Sequence, residues 1–232
     1  MWLALALSAM LVAYNNVANR WPPFHGAAYV PVNLAFAGAI LAIAAGTLSL
    51  SRGELGLRGD VADAGVAMAA IAVFAIGALA FARSRHGHRI ADKRVEGRRG
   101  GALAFYVLVR IPLGTAVAEE VLFRGVLFAA WRDAGLSTVI AALCAAAAFG
   151  LWHVAPTLDA VRLNNPAVSH RALWTAVMGA VLLTTGAGLG FTLMRLETEG
   201  LVAPIVLHAG INSMGALAAA VASRRKPAGS PA

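Results

Sequence analysis

The sequence predicts an all-α protein, a polytopic transmembrane bundle of about seven helices. Of its 232 residues, 59% are hydrophobic and only 13% are charged. The mean hydropathy is +0.73, whereas a soluble domain is usually nearer half apolar and a quarter charged. Long apolar runs recur along the whole length, and most charged residues lie between them. We therefore expect a single integral membrane domain over residues 1–232.

Seven apolar segments are predicted to form the helices, and most have the ~17–25 residues that cross a bilayer. The first has no basic residues before it, so we expect a retained helix rather than a cleaved signal peptide. The fourth is too long for a straight crossing and contains Pro112 and Gly114, which predicts a kink, a tilt or a part outside the bilayer. The segments are residues 2–18, 28–50, 61–82, 102–131, 136–155, 172–194 and 201–222.

The basic residues predict an orientation for the bundle. With seven crossings, 13 Lys and Arg residues lie on the side of the 83–100 loop and four on the other side. Because cytoplasmic loops carry the excess of Lys and Arg, we expect the N-terminus outside and the C-terminus inside. Residues 83–100 then form a basic cytoplasmic loop and residues 223–232 a basic C-terminal tail. The Ala-, Arg- and Gly-rich composition suggests a bacterial cell membrane.

The net charge of +8 does not indicate nucleic acid, because the basic residues lie in connections where they orient helices and meet anionic lipid. The single cysteine, Cys144, excludes an intramolecular disulfide and is interpreted as a packing residue. In the sixth segment, Gly186 and Gly190 form a GxxxG pattern, which predicts close packing against another helix.

The fourth segment carries two adjacent carboxylates, Glu119 and Glu120, followed by Arg124. Each charge costs roughly 2.5–3.5 kcal/mol at bilayer depth, so such a cluster is paired, faces an internal cavity, or both. Glu120 and Arg124 stand four residues apart and are expected to pair on a helix. Glu119 points about 100° away, which leaves it available as a general acid or base. A structural Glu–Arg staple is the alternative.

Two further polar sites lie inside apolar segments. The fifth segment carries Phe149 and His153, and the seventh carries His208 and Asn212, which share one face of a helix. Counted at about 1.5 Å per residue, these side chains and Glu119 lie at overlapping depths, so they can meet in one cavity. Each histidine alone could instead be an interhelical hydrogen-bond partner.

These residues, in this order, resemble the motif set of the CPBP family (CAAX proteases and bacteriocin-processing enzymes), also called Abi. This family of intramembrane proteases is related to the type II CAAX prenyl endopeptidase. The resemblance covers roughly residues 102–215 and leaves the first three segments uncovered. Its motifs are EExxxR at Glu119, Glu120 and Arg124, FxxxH at Phe149 and His153, a weaker FxxxR-like element at Phe191 and Arg195, and HxxxN at His208 and Asn212.

The resemblance implies a role for each polar residue in peptide hydrolysis in or near the bilayer. Glu119 would activate water, and His153 and His208 would hold that water or a metal ion. Asn212 would donate a hydrogen bond to the developing oxyanion. Glu120 and Arg124 would shape and neutralise the site, with Glu120 as a second candidate acid or base. The expected partners are a protein or peptide substrate and the lipid bilayer.

The sequence leaves the metal and two other functions open. Glu119, His153 and His208 match a His₂Glu set for a divalent metal such as zinc, but there is no HExxH, and a metal-free mechanism uses the same residues. One alternative function is a proton-coupled transporter, although no repeated halves are seen. The other is a non-catalytic membrane scaffold or immunity partner, which would have no need of the polar residues.

Overall fold

The computed structural model describes residues 1–18, 20–21 and 26–224, so most of the predicted basic tail 223–232 lies outside the described residues. Eight helices, named α1 to α8 here, carry the fold. They are α1 (Trp2–Ala18), α2 (Tyr29–Thr47), α3 (Ala64–Arg83), α4 (Gly100–Asp133), α5 (Thr138–Trp152), α6 (Val154–Asn164), α7 (His170–Glu197) and α8 (Val202–Ser223).

The predicted all-α transmembrane fold is confirmed. Six helical spans in the described residues are long and apolar enough to cross a membrane, while α1 has only 17 residues. The helices α5 and α6 together form one of these spans, Thr138–Asn164. The fifth apolar segment, predicted over residues 136–155, therefore ended too early, because α6 is partly polar and gives a weaker hydropathy signal.

Helix α4 lies at the centre of the bundle and packs against α2, α5 and α8. Its second half is almost wholly buried, from Leu122 to Trp131. Apolar side chains of α1, α2 and α5 complete a continuous core around it. The two carboxylates of the EExxxR motif thus begin the most buried stretch of the chain.

The expected irregularity of α4 takes the form of π-helical turns, which run over Tyr106–Val117 and again over Val121–Leu127. Pro112 has no N–H, so in a π-helical stretch the carbonyl five residues before it, that of Val107, lacks its usual donor. The hydroxyl of Ser213 in α8 donates to this carbonyl at 2.7 Å. The proline therefore creates an acceptor that fastens α4 to α8.

Close contact between α5 and α7 depends on a glycine other than the two predicted. A Cβ at Gly150 would lie 2.1 Å from Thr185 Oγ1, so only glycine allows this approach. A Cβ at Gly186 or Gly190 would meet no described atom within 4 Å. The prediction that the GxxxG pair packs against another helix is therefore wrong for the described residues, because this pair faces away from α5.

Candidate active site

A buried cluster of charges lies in the middle of α4. The side chains of Arg124 and Glu120 are 1% and 0% exposed, and Arg124 Nη1 donates to Glu120 Oε1 at 2.9 Å. Both residues lie on one helix, four positions apart, so the helix itself brings them together. This ion pair neutralises one of the two adjacent carboxylates without any contribution from another segment.

The same carboxylate also binds His208 of α8. His208 Nδ1 lies 2.7 Å from Glu120 Oε1, and a carboxylate accepts, so the hydrogen-bond network assigns the proton to Nδ1. In the neutral imidazole, Nε2 is then an acceptor. Glu120 therefore fixes both the orientation and the tautomer of His208.

Glu119 is held by a different partner and keeps one oxygen available. The indole N–H of Trp152, the last residue of α5, donates to Glu119 Oε1 at 3.0 Å. The second oxygen, Oε2, has no hydrogen-bond partner among the described residues and lies 3.8 Å from His208 Nε2. A carboxylate oxygen and an imidazole nitrogen thus face each other across a short gap.

The second histidine of the predicted set lies at the junction of α5 and α6. His153 interrupts the two helices, and its Nδ1 lies 2.7 Å from the carbonyl oxygen of Phe149. Because a carbonyl accepts, Nδ1 carries the proton and Nε2 is the acceptor, as in His208. Both imidazoles are therefore placed as proton acceptors in their neutral form.

Two aromatic rings hold the buried groups in place. The guanidinium carbon of Arg124 lies 4.0 Å from the ring centre of Phe149 and 5.0 Å from that of Phe191. Phe191 also stacks on His208, with ring centres 4.9 Å apart. The phenylalanines of the FxxxH and FxxxR-like elements thus form walls around the charges.

The two residues of the FxxxR-like element, Phe191 and Arg195, lie in different parts of the structure. Phe191 packs in the charge cluster, but Arg195 donates to the backbone carbonyl of Glu54 in the loop between α2 and α3. The guanidinium of Arg195 also lies over Phe128, 4.8 Å from the ring centre. Arg195 therefore anchors a loop and is not part of the cluster around Glu119.

Glu119, His153 and Asn212 share a cavity of about 640 Å³, most of whose lining residues belong to α4, α6 and α8. Asn212 follows His208 by one turn of α8, which places its amide on the cavity wall while His208 lies behind it against Glu120. The structure thus brings the predicted residues into one region in two layers. Glu119, His153 and Asn212 line the cavity, and Glu120, Arg124 and His208 form the buried layer behind them.

The loop between α3 and α4 contributes charged residues to the same cavity. Asp92 and Arg94 both line it and form an ion pair at 2.6 Å. Burial alone would raise the pKa of the Asp92 carboxyl, but the hydrogen bonds and charge of Arg94 outweigh it, so the pKa is lowered. The Asp92 carboxyl is therefore ionised at neutral pH, and it is bound in the ion pair with Arg94.

Three residues that position this site were not predicted from the sequence. Trp152 binds Glu119, and α1 supplies Asn15 and Asn16, which hold the break after Trp152. Asn15 Nδ2 donates to the Trp152 carbonyl at 2.8 Å, and Asn16 Oδ1 accepts from the Ala155 N–H at 2.7 Å. The available signal was the adjacent Asn15 and Asn16 in an apolar helix, since amides at bilayer depth require partners.

The residues present fit a metal ion only in part. The tautomers of His153 and His208 are those of metal ligands, which donate their other ring N–H to an oxygen. However, no group of three His, Cys, Asp or Glu side chains converges as a ligand set within the described residues. Because catalytic zinc normally takes three protein ligands, the predicted set of Glu119, His153 and His208 is incomplete in this arrangement.

A comparison with known protein families finds a match to residues 101–214. This segment matches the model of the family described as type II CAAX prenyl endopeptidase Rce1-like. The match spans every motif residue from Glu119 to Asn212 and confirms the predicted resemblance. No curated protein and no solved structure matches the chain.

Proposed function

Because residues 101–214 match the model of the type II CAAX prenyl endopeptidase Rce1-like family, we propose that the protein is an intramembrane endopeptidase that hydrolyses a peptide bond by activated water. The substrate is a protein or peptide at the membrane. A single observation carries the proposal, the 3.8 Å separation of Glu119 Oε2 and His208 Nε2 beside a cavity.

This separation suits one water molecule. Hydrogen bonds to an oxygen are about 2.8 Å long, so a single water can bond to two acceptors that are 3.8 Å apart. Glu119 Oε2 is a buried carboxylate oxygen without a partner among the described residues, and buried polar atoms rarely remain unpaired. A water held in this way has both protons directed at acceptors and its lone pairs directed towards a substrate.

The proposed reaction proceeds without a covalent intermediate. Glu119 takes a proton from the water, and the water oxygen forms a bond to the carbonyl carbon of the peptide. The carbonyl oxygen becomes an oxyanion, which the side-chain amide of Asn212 stabilises by donating a hydrogen bond. The C–N bond then breaks as the proton on Glu119 passes to the leaving amine, which restores the carboxylate.

The buried layer of Glu120, Arg124 and His208 holds the reacting groups in position. Glu120 holds His208 through Nδ1, which leaves Nε2 to accept a hydrogen bond from the water. The charge of Arg124 balances Glu120, so the adjacent Glu119 is the carboxylate that reacts. His153 faces the same cavity and provides a second acceptor for the attacking water or the departing proton.

The predicted orientation puts the part of the cavity that is lined by the loop between α3 and α4 on the cytoplasmic side. Asp92 and Arg94 of the loop between α3 and α4 line the cavity, and this loop was predicted to be cytoplasmic from its basic residues. We therefore propose that the substrate enters from the cytoplasmic side of a bacterial cell membrane. Cysteine labelling in the loop and at the N-terminus of α1 in intact cells and in inverted vesicles tests this orientation.

The central test is cleavage of membrane-tethered peptides, prenylated ones included, by the purified full-length protein in detergent. The Glu119→Gln variant keeps the shape of the side chain but loses the base, so we expect cleavage to fall by about 100–10,000-fold. Asn212→Ala is expected to cost roughly 100–1,000-fold. The matched controls are Glu197→Gln and His88→Ala at exposed positions, which should cleave like the wild type.

Two outcomes would contradict the proposal. Equal cleavage by the wild type and Glu119→Gln would mean that Glu119 is not the base. A wild type that is inert on the whole peptide set would favour a scaffold, or a transporter if proton flux in liposomes depends on Glu119.

A further inference from the structure

Arg110 is a charged residue in α4 that the proposed reaction does not use. It lies within a membrane-spanning helix and lines the same cavity as Glu119. A charge at this depth is expensive and normally has a partner or a function. A second arginine within the apolar part of this helix, Arg124, is paired with Glu120.

The contacts of Arg110 leave its positive charge unbalanced. Its guanidinium carbon lies 3.7 Å from the ring centre of Tyr29 and 6.0 Å from that of Tyr106. Nη1 donates to the carbonyl oxygen of Gly26 at 3.2 Å. Among the described residues, the ion pairs include no acidic partner for Arg110. The rings and the carbonyl orient the guanidinium without neutralising it.

The other charged residues of the cavity do not satisfy Arg110. Asp92 is bound to Arg94, and Glu119 is held by Trp152. Asp159 of α6 also lines the cavity and is exposed, so it repels an anion and attracts a cation. Among the described residues that line the cavity, Arg110 is therefore a cation without an acidic partner, and neither Glu119 nor Asp159 has a Lys or Arg partner.

The position of Arg110 sets a distance from the reacting bond. Arg110 and Glu119 are nine residues apart on the same helix, which would correspond to about 13.5 Å along an α-helical axis. Because most of this interval is π-helical and rises less per residue, about 13.5 Å is an upper bound. An extended peptide advances about 3.3 Å per residue, so a group bound at Arg110 is about three to four residues from a peptide bond placed at Glu119.

We propose that Arg110 is a specificity-determining residue that binds a carboxylate of the substrate, about three to four residues from the bond that is cleaved. This inference rests on the proposed function. The guanidinium of Arg110, held 3.7 Å from the ring centre of Tyr29, carries its N–H groups in a planar fork, and this geometry matches a carboxylate. The carboxylate is either the C-terminus of the peptide or the side chain of Asp or Glu, and the two sources have the same chemistry.

The test compares matched peptides that differ only in this carboxylate. The first pairs end three or four residues beyond the scissile bond and carry either a free or an amidated C-terminus. The other pairs are longer and carry Glu or Gln at the third or fourth position on either side of the bond. For at least one pair, we expect the wild type to prefer the carboxylate peptide about 10-fold or more in kcat/KM, mainly through KM.

The variants assign this preference to Arg110. In Arg110→Gln, the ratio of kcat/KM for the two peptides should fall close to one, and in Arg110→Lys part of it should remain, because the charge is kept and the fork is lost. Asp159→Asn should keep or increase the preference, since it removes a repelling charge. Arg162→Gln, at an exposed position, is the matched control and should keep the wild-type ratio.

Different outcomes separate this inference from the proposed function. Cleavage that depends on Glu119 but shows the same carboxylate preference in Arg110→Gln, or no preference in the wild type, overturns only the inference. A difference between wild type and Arg110→Gln that appears only when vesicles of zwitterionic lipid are supplemented with anionic lipid also overturns it, because lipid is then the ligand. Absence of Glu119-dependent cleavage overturns the proposed function and this inference together.

Discussion

Glu120 Oε1 and His208 Nδ1 lie 2.7 Å apart and join α4 to α8 at the centre of the bundle. The same oxygen accepts from Arg124, so one carboxylate oxygen binds groups from two helices. Glu119, one residue earlier, has Trp152 on one oxygen and faces His208 Nε2 with the other. Adjacent carboxylates therefore have different tasks, one structural and one proposed to be reactive.

We predict that Glu120→Gln destabilises the protein more than Glu119→Gln. Removing the charge of Glu120 leaves Arg124 buried without its ion-pair partner, which typically costs about 3–5 kcal/mol. Thermal unfolding of the purified variants in detergent measures the difference. Glu120→Gln combined with Arg124→Met should recover much of the lost stability, because no unpaired buried charge remains. Equal unfolding temperatures for the two single variants would contradict this division of tasks.

The N-terminal helix is predicted to control the rate of cleavage although it lies outside the matched family segment. Asn15→Ala removes the donor to the Trp152 carbonyl, so the indole that holds Glu119 loses its support. We expect kcat to fall about 10-fold or more with KM nearly unchanged, since a small misplacement of reacting groups is costly. Asn165→Ala, at an exposed position, is the matched control. A change in KM alone would mean that Asn15 acts on substrate binding instead.

Gly150 and Gly186 provide a matched pair for the contact between α5 and α7. Gly150→Ala would place a methyl group 2.1 Å from Thr185 Oγ1 and 2.8 Å from the Val181 carbonyl oxygen. Such overpacking typically costs about 1–3 kcal/mol, and the backbone contact leaves little room to relax. In Gly186→Ala the methyl group meets no described atom, so stability should be equal or slightly higher. Thermal unfolding of both variants measures the difference in stability. If Gly186→Ala were the less stable variant, the GxxxG face would be packed against another helix.

Metal removal is predicted to leave cleavage unchanged. The proposed water is held by Glu119 and His208, and the described residues provide no third ligand beside them. Preincubation with a strong chelator, followed by cleavage assays and metal analysis of the purified protein, measures this. Activity that is lost with chelator and restored by zinc would contradict the metal-free mechanism and would require His153 to move towards His208 and complete a ligand set.

Much of the fold and the contents of the site could be predicted from the sequence because the relevant signals are local or additive. Hydropathy summed over a helix gives the spans, and the four-residue spacing of Glu120 and Arg124 places both on one face. His208 and Asn212 also share a face, yet the sequence did not indicate that one would face Glu120 and the other the cavity. That division depends on how α8 is rotated against α4.

The features that were missed depend on contacts between segments distant in sequence. Asn15 reaches the end of α5 across 137 positions. An amide in an apolar helix signals that it needs a partner, but neither residue type nor spacing indicates which one. The GxxxG prediction failed because small residues mark a possible contact face but not the helix that uses it. The contact between the Arg110 guanidinium and Tyr29 of α2 likewise joins distant segments, so the sequence does not indicate that this guanidinium has aromatic neighbours but no acidic partner among the described residues.

The most direct test of the central claim is a double-mutant cycle between Glu119 and His208, measured by single-turnover cleavage of one membrane-tethered peptide. If both residues act on the same water, Glu119→Gln combined with His208→Gln should be about as slow as the slower single variant, because the second change removes nothing further. Rate losses that multiply in the double variant would mean that the two residues act independently. That result would contradict the account of a single water activated between them.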